Sequence, residues 1–317
     1  MEIKIFKEFD SIKNDWITLY NKGNIFNLNY EWCKYWWDIF HKPKTKLYII
    51  TIYKKNSIKL IFPAYKINNI IFPIGMGPTL YDEFNLLYTD IKYVKYLLNY
   101  IIENNFVLKI HYLNASSDIA KYITRYIKQN RLLYKRKIVD NMPQIKNLAN
   151  FTFNKKLKYD YKRLSNKFEK LELQISYDTD KFFEMHKKRW NGGPLIYIKN
   201  YQKFLEKLIT KNVGINLKLN ANNKVLSYHF GIIDSNNTFN SIIHTYNIDF
   251  KNLSVGKLNL FKTIEFIKNQ NIENFSFGRG VENYKYWFAN YDNILFHIIL
   301  IGKASLKNKL LINFINF

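Results

Sequence analysis

Between Ile215 and Tyr246 the chain passes through three short runs rich in β-formers, Ile215–Asn220, Val225–Asp234 and Thr238–Tyr246, and then changes period. Ala221-Asn222-Asn223-Lys224 separates the first two runs as a hairpin turn. After a loop at Asn247–Ser254, the spacing predicts a helix over Gly256–Asn269 that buries Leu260, Ile264 and Ile267. A short strand at Asn274–Phe277, a short helix at Glu282–Ala289 and a final strand at Ile294–Ile301 follow. A meander followed by a helical crossover fits few architectures. Phe275–Phe277 would then lie beside Ser241–Tyr246, in a mixed sheet flanked by helices.

Upstream, Lys155–Glu172 reads as a basic helix with Leu157, Tyr161, Leu164, Phe168 and Leu171 on one face. Helices are also predicted over Asp180–Trp190, closed by Asn191-Gly192-Gly193-Pro194, and over Lys199–Lys211. The first half mixes both elements. Its helices are expected at Ser11–Tyr20, Asn29–Phe40, Tyr93–Asn104 and Ser117–Asn130, the last capped by Ser117. Its strands are expected at Lys46–Tyr53, Ser57–Tyr65, Ile70–Ile74 and Val107–Leu113. Val139–Asn150, with Pro143 and several Asn, reads as the joint. The expectation is a mixed α/β (α+β) chain of two halves, 1–145 and 146–317.

With 317 residues, 47% of them hydrophobic, the chain can bury two cores, so global disorder is excluded. A net charge of +24 invites a polyanionic partner, yet only six of 49 basic residues are arginine. The abundant Lys, Asn, Ile, Tyr and Phe share A/T-rich codons, so part of the charge is compositional background. Cys33 is the single cysteine, which excludes an internal disulfide and a cysteine-built metal site. Six scattered histidines with no H-x-x-x-H pair predict no metal. The N-terminus interleaves charges, unlike a signal peptide, and apolar runs are shorter than the roughly 20 residues a bilayer span needs. A cytoplasmic location follows as the expectation. The basic, apolar stretch Ser305–Phe317 can lie on an anionic membrane at its inner face, or dock on the fold, which is the default.

Chemistry concentrates between Ser241 and Lys285. Where two adjacent strands part, a linear ligand arm can enter beside Tyr246, with a backbone N–H there holding an oxyanion. Ser254-Val255-Gly256-Lys257 opens the next helix, where unpaired N–H groups suit a diphosphate. An ordinary Ser-capped helix explains those four residues as well. Gly278 and Gly280 keep side chains out of the cleft, Tyr284 can give a proton to a departing thiolate, and Lys285 can steady negative charge. His229, His244 and Asp249 are the candidate bases. For each of these the plain alternative is packing or an ordinary hydrogen bond. Trp36, Trp37 and Trp190 can stack on sugars, but core packing is the simpler role.

The order strand, Ser-x-Gly loop, helix, strand, Gly-x-Gly, Tyr-Lys-x-x-Phe resembles the GNAT acyltransferase superfamily, and more narrowly its Fem-like and cellulose-biosynthesis (CelD-type) branch. The motifs are Phe275-Ser276-Phe277-Gly278-Arg279-Gly280, Tyr284-Lys285-Tyr286-Trp287-Phe288, His186-Lys187-Lys188-Arg189-Trp190 and Tyr228-His229-Phe230-Gly231. Weaker matches are Tyr30-Glu31-Trp32, Phe62-Pro63 and Gly77-Pro78-Thr79-Leu80-Tyr81-Asp82-Glu83-Phe84. Two features depart from the family: Ser276 replaces the strand acid, and the diphosphate loop is reduced to Ser254-Val255-Gly256.

The resemblance implies two tandem GNAT-like halves, the second binding acetyl-CoA or another acyl-CoA and the first shaping the acceptor side. It implies N-acylation of an amino sugar or related precursor of a bacterial surface glycan or cell wall, as in polysaccharide biosynthesis. Its Fem-like relatives imply an alternative donor, aminoacyl-tRNA. A GNAT fold that has lost its chemistry and serves as a basic binding module is the reading from outside enzymology.

Overall fold

A computed structural model describes residues 1–76, 82–190 and 199–303. The Gly77–Tyr81 part of the N-terminal motif, Asn191-Gly192-Gly193-Pro194 and Ser305–Phe317 lie outside the described residues. The chain forms two compact units, Met1–Asn141 together with the chain from Asn293, and Met142–Asp292.

The first stretch of chain contains β1 (Glu2–Phe6), α1 (Lys13–Tyr20), α2 (Tyr30–Phe40), β2 (Lys46–Leu47), β3 (Ile49–Lys54) and β4 (Ser57–Phe62). It continues with β5 (Ala64–Ile67), β6 (Ile70–Pro73), β7 (Leu87–Tyr88), α3 (Val94–Glu103), β8 (Val107–Asn114), α4 (Asp118–Gln129) and β9 (Leu132–Ile145). The helix starts follow their sequence signals: the side chains of Asn29 and Ser117 accept from the amides of Trp32 and Ala120. Trp36 is nearly buried and stacks on Tyr65, so it belongs to the core.

After β9 come α5 (Lys155–Ser165), β10 (Glu172–Ile175), α6 (Thr179–Trp190), α7 (Lys199–Thr210), β11 (Ile215–Ala221) and β12 (Lys224–Ile233). Then follow β13 (Thr238–Tyr246), α8 (Val255–Asn269), β14 (Asn274–Ser276), α9 (Asn283–Tyr286) and β15 (Tyr291–Lys303). In the first unit β1, β3, β4 and β7 form one antiparallel sheet, and β15 runs antiparallel to β8, which is parallel to β6. In the second unit β10 to β13 form an antiparallel meander, β14 lies parallel to β13, and the end of β9 pairs with β14.

Of the two readings open for Val139–Asn150, a crossing or a linker, the structure has a crossing: the division at Asn141 falls within β9, which runs through to Ile145 because Met142 and Ile145 are buried and Phe275 and Ser276 supply a strand partner. Pro143 fits there through its carbonyl, which accepts from Phe277 N at 3.0 Å. The basic helix stops at Ser165 rather than Glu172. Lys170 turns left-handed (φ 48°), and Glu172–Ile175 instead pairs with β11. Phe168 and Leu171 still pack on the core expected for them.

That core is built on α8, whose Val255, Leu258, Leu260, Phe261, Ile264 and Ile267 are buried against Phe239, Phe275, Phe277 and Phe288. Each large apolar side chain contributes about 1.5–3 kcal/mol by leaving water. The burial fixes α8, and with it the start of α8, against the sheet. Among the described residues no helix is long and apolar enough to cross a membrane.

Candidate active site

β13 and β14 pair over only three positions, Thr238 with Asn274, Phe239 with Phe275 and Asn240 with Ser276. β14 then ends while β13 continues to Tyr246, so Ser241–Tyr246, expected beside Phe275–Phe277, instead has no strand neighbour on that side among the described residues. A cavity of about 580 Å³ opens at the parting. Ser241, Ile242, His244 and Tyr246 line it from β13, and Phe277, Gly278 and Arg279 from the loop after β14. Gly256, Lys257 and Leu260 of α8, Arg189 and Trp190 of α6, and Glu282, Tyr284, Lys285, Trp287 and Phe288 complete the wall.

The strand that forms this wall is bulged. His229 pairs with His244 and Phe230 with Ile243, but Gly231 pairs with Ser241, leaving Ile242 as the extra residue. A bulge reverses the in-out alternation beyond it. Ser241 therefore joins His244 at the cavity, although their odd spacing would put them on opposite faces of a regular strand.

Four cationic side chains and one carboxylate stand in the wall, a balance that suits an anionic ligand. Arg189, Lys257 and Lys285 are also held. Arg189 donates to the carbonyl of His244 at 2.6 Å and lies over the Tyr246 ring. Lys257 is paired with Asp160 at 2.6 Å and sits 4.5 Å from the centre of the Trp287 ring. Lys285 is 3% exposed, donates to the carbonyls of Gly278 and Arg279, and pairs with Glu282 at 2.9 Å. It ties α9 to a loop whose Gly278 and Gly280 have φ of 70° and 114°, a backbone that side chains strain. Tyr284 has 39% of its surface open. Burial of its hydroxyl and the nearby Glu282 push its pKa up to about 12, against the pull of Arg189.

Residues 155–286 match a family model described as an acetyltransferase (GNAT) domain. This stretch is similar to GNAT acetyltransferase domains. The protein is an acyltransferase. The fold of the chain is similar to that of FemX (9% identity, 99% of this chain and 100% of that one, TM-score 0.66). It is also similar to L-PGS from Bacillus licheniformis (10% identity, 99% and 98%, TM-score 0.60). A tandem GNAT protein from the clavulanic acid biosynthesis pathway has 9% identity, with 96% and 99% covered and a TM-score of 0.53. At such identities the likeness is one of fold. No curated protein matches the sequence.

Within this stretch the expected site residues divide. Tyr284, Lys285, His244, Tyr246, Gly256, Lys257 and Gly278 share the cavity. Ser254, Val255 and Gly280 are not in its wall. Ser254 is left-handed (φ 54°) and its side chain makes no cap, which corrects the Ser-capped reading, and Val255 is fully buried in the core. Asp249 is carried by a turn at Ile248–Leu253 into a separate cavity, beside Glu184 and Lys188. His229 is fully buried behind Ser241, and burial lowers its pKa to about 3. His244 is held well below the usual histidine range by burial first, then by His229 and Arg189. Both imidazoles are therefore neutral at pH 7. Sequence reasoning gave Arg189 and Trp287 only as members of motifs, without a role, and passed over Glu282, whose local signal was its three-residue spacing to Lys285.

Gly256 offers a test of this wall. A Cβ there would come within 3.1 Å of the Tyr246 ring and 3.2 Å of His244 Cε1. Helix propensity favours Gly256→Ala by about 0.5–1 kcal/mol, whereas overpacking costs about 1–3 kcal/mol. Tyr246 is backed by Arg189 and has little room to yield, so the expected net result is a lower urea midpoint. A raised midpoint would mean that both rings move freely.

Proposed function

We propose that the protein transfers the acyl group of an acyl-CoA, acetyl-CoA foremost, to the amine of an amino sugar or related precursor of a bacterial surface glycan or cell wall, in the manner of the CelD-type branch. The observation that carries this reading is the parting of β13 from β14, with Tyr284 beside the cavity and the start of α8 at its wall. The uncovered edge of β13 offers backbone hydrogen bonds to an extended ligand arm, and the first turn of α8 offers N–H groups to phosphate.

In this mechanism a neutral amine attacks the thioester carbonyl, and a backbone N–H of β13 near Tyr246 holds the oxyanion. The intermediate then expels the thiolate, which meets the Tyr284 hydroxyl. Neither His229 nor His244 is basic enough to deprotonate a free ammonium group. The amine must arrive neutral and lose its proton after attack, when the bound nitrogen has become acidic. His244 Nε2, on a cavity-lining residue and with no hydrogen-bond partner among the described residues, would take it up. Lys285 contributes mainly by fixing the Gly278–Arg279 carbonyls.

Labelled acetyl-CoA should bind saturably, and the protein should acetylate members of a panel of amino sugars. Absence of saturable binding up to about 1 mM, the upper end of common KM values, would remove the reading. Steeply salt-dependent binding of charged tRNA in its place would favour an aminoacyl donor.

A further inference from the structure

Behind the cavity wall lies a chain of polar side chains that acyl transfer as outlined does not use. Ser241 Oγ is 2.7 Å from His229 Nε2, and His229 Nδ1 is 3.2 Å from Thr263 Oγ1. Thr263 donates its hydroxyl proton to Asn259 Oδ1 at 3.1 Å, and Asn259 Nδ2 donates to Ser227 Oγ at 2.8 Å. His229, Thr263, Asn259 and Ser227 are all fully buried, whereas Ser241 reaches the cavity.

The directions of these bonds are not independent. Thr263 has one hydroxyl proton, and Asn259 receives it. Thr263 can then only accept from His229, so the imidazole proton belongs on Nδ1. Nε2 is left as an acceptor, and the one proton of Ser241 must point at it. What Ser241 turns toward the cavity is lone pairs alone.

We infer that Ser241 is a one-way hydrogen-bond acceptor in the cavity, its polarity fixed by the buried chain through His229 and Thr263, and that it takes an N–H of the bound substrate. The ligand's identity as an amine rests on the acyl-transfer reading; the polarity does not. An acceptor here binds one N–H of a neutral amine and so leaves the nitrogen lone pair free to be aimed at the thioester carbonyl. It also disfavours any ligand that presents a carbonyl or ether oxygen at this point.

Ser241 is not placed to act as a nucleophile. Taking its proton would create an imidazolium on His229 with only the neutral Thr263 and Asn259 behind it, where a Ser-His-Asp triad has a carboxylate. The burial that lowers the His229 pKa opposes that charge as well. His229 and Thr263 are thus positioning residues that act through Ser241.

Nitrogen-15 NMR of the ligand-free protein with labelled histidine should find the His229 proton on Nδ1. A proton on Nε2 would overturn the inference. Thr263→Val should release the tautomer and move that proton, while Thr263→Ser should retain it. With acetyl-CoA and the amine that wild type acetylates best, Ser241→Ala should raise the KM for the amine by roughly three- to tenfold, the usual worth of one hydrogen bond, and leave the acetyl-CoA Kd unchanged. Thr263→Val should follow it, and Thr263→Ser should recover. An unchanged amine KM in Ser241→Ala would refute the substrate contact. If wild type acetylates no amine, the acyl-transfer reading fails, and NMR still decides the polarity of Ser241.

Discussion

Tyr284→Phe is expected to lower kcat for acetyl transfer by about 10²–10³, the usual cost of losing one preorganised donor to developing negative charge. The affinity for acetyl-CoA should not change, because the ring and its packing remain. With its pKa pushed up to about 12, Tyr284 carries its proton at any working pH. A thiol is far more acidic, with a reference pKa of about 8.5, so complete proton transfer to the leaving sulfur is uphill by several units. The hydroxyl therefore acts chiefly as a hydrogen-bond donor to sulfur during C–S cleavage, which places the expected effect at the lower end of what general acids supply. No alkaline loss of rate from this group is expected below about pH 10. Tyr286→Phe is the control: its hydroxyl donates to Asp292 at 2.9 Å and it stands outside the cavity wall. Steady-state rates and acetyl-CoA titrations of the two variants decide the matter. Wild-type kcat in Tyr284→Phe would exclude the role.

Local signals in the sequence carried far. The Ser117 cap, the hairpin at Asn222-Asn223 and the buried face of α8 are set by residues within a few positions of each other, and each lies where spacing put it. Misreadings arose where a distant strand decided. The helical pattern was read on to Glu172, yet Glu172–Ile175 finds backbone pairing with β11. Met142–Ile145 opens the second unit where a joint was expected, but its strand character depends on Phe275 and Ser276, 130 residues downstream. The site shows the same division. Tyr284 and Lys285 were legible because they follow a Gly-x-Gly break. Ser241 was not, because a single bulge at Ile242 turns it to the face of His244, and no residue type marks that bulge. Asp249 is only five residues from His244, but the intervening turn leads it into another cavity.

Stability is expected to fall by about 3–5 kcal/mol between pH 8 and pH 5, a large part of the 5–15 kcal/mol that holds a typical domain. Burial lowers the pKa of His186 to about 4 and of His229 to about 3. Unfolded, both protonate near 6.5, so below that pH the unfolded chain binds protons that the folded one refuses. The stability from each is complete above about 6.5 and is lost as pH falls toward the folded value, about 2 kcal/mol apiece by pH 5. His244, shifted the same way, adds up to as much again. Asp234 opposes them. Burial raises its pKa to about 6, so the folded state takes up a proton below that pH while an unfolded aspartate does not until about 3.8. It returns about 1.4 kcal/mol by pH 5. Urea unfolding at pH 8, 6.5 and 5 measures the net slope, and amide exchange should locate the loss within Met142–Asp292, which holds all four groups. Asp234→Asn should steepen the decline, since only its offset is removed. A stability that holds or rises toward pH 5 would mean that these histidines accept protons in the folded state. The hydrogen-bond polarity assigned to Ser241 would then fail below neutral pH, because a protonated His229 has no acceptor to offer it.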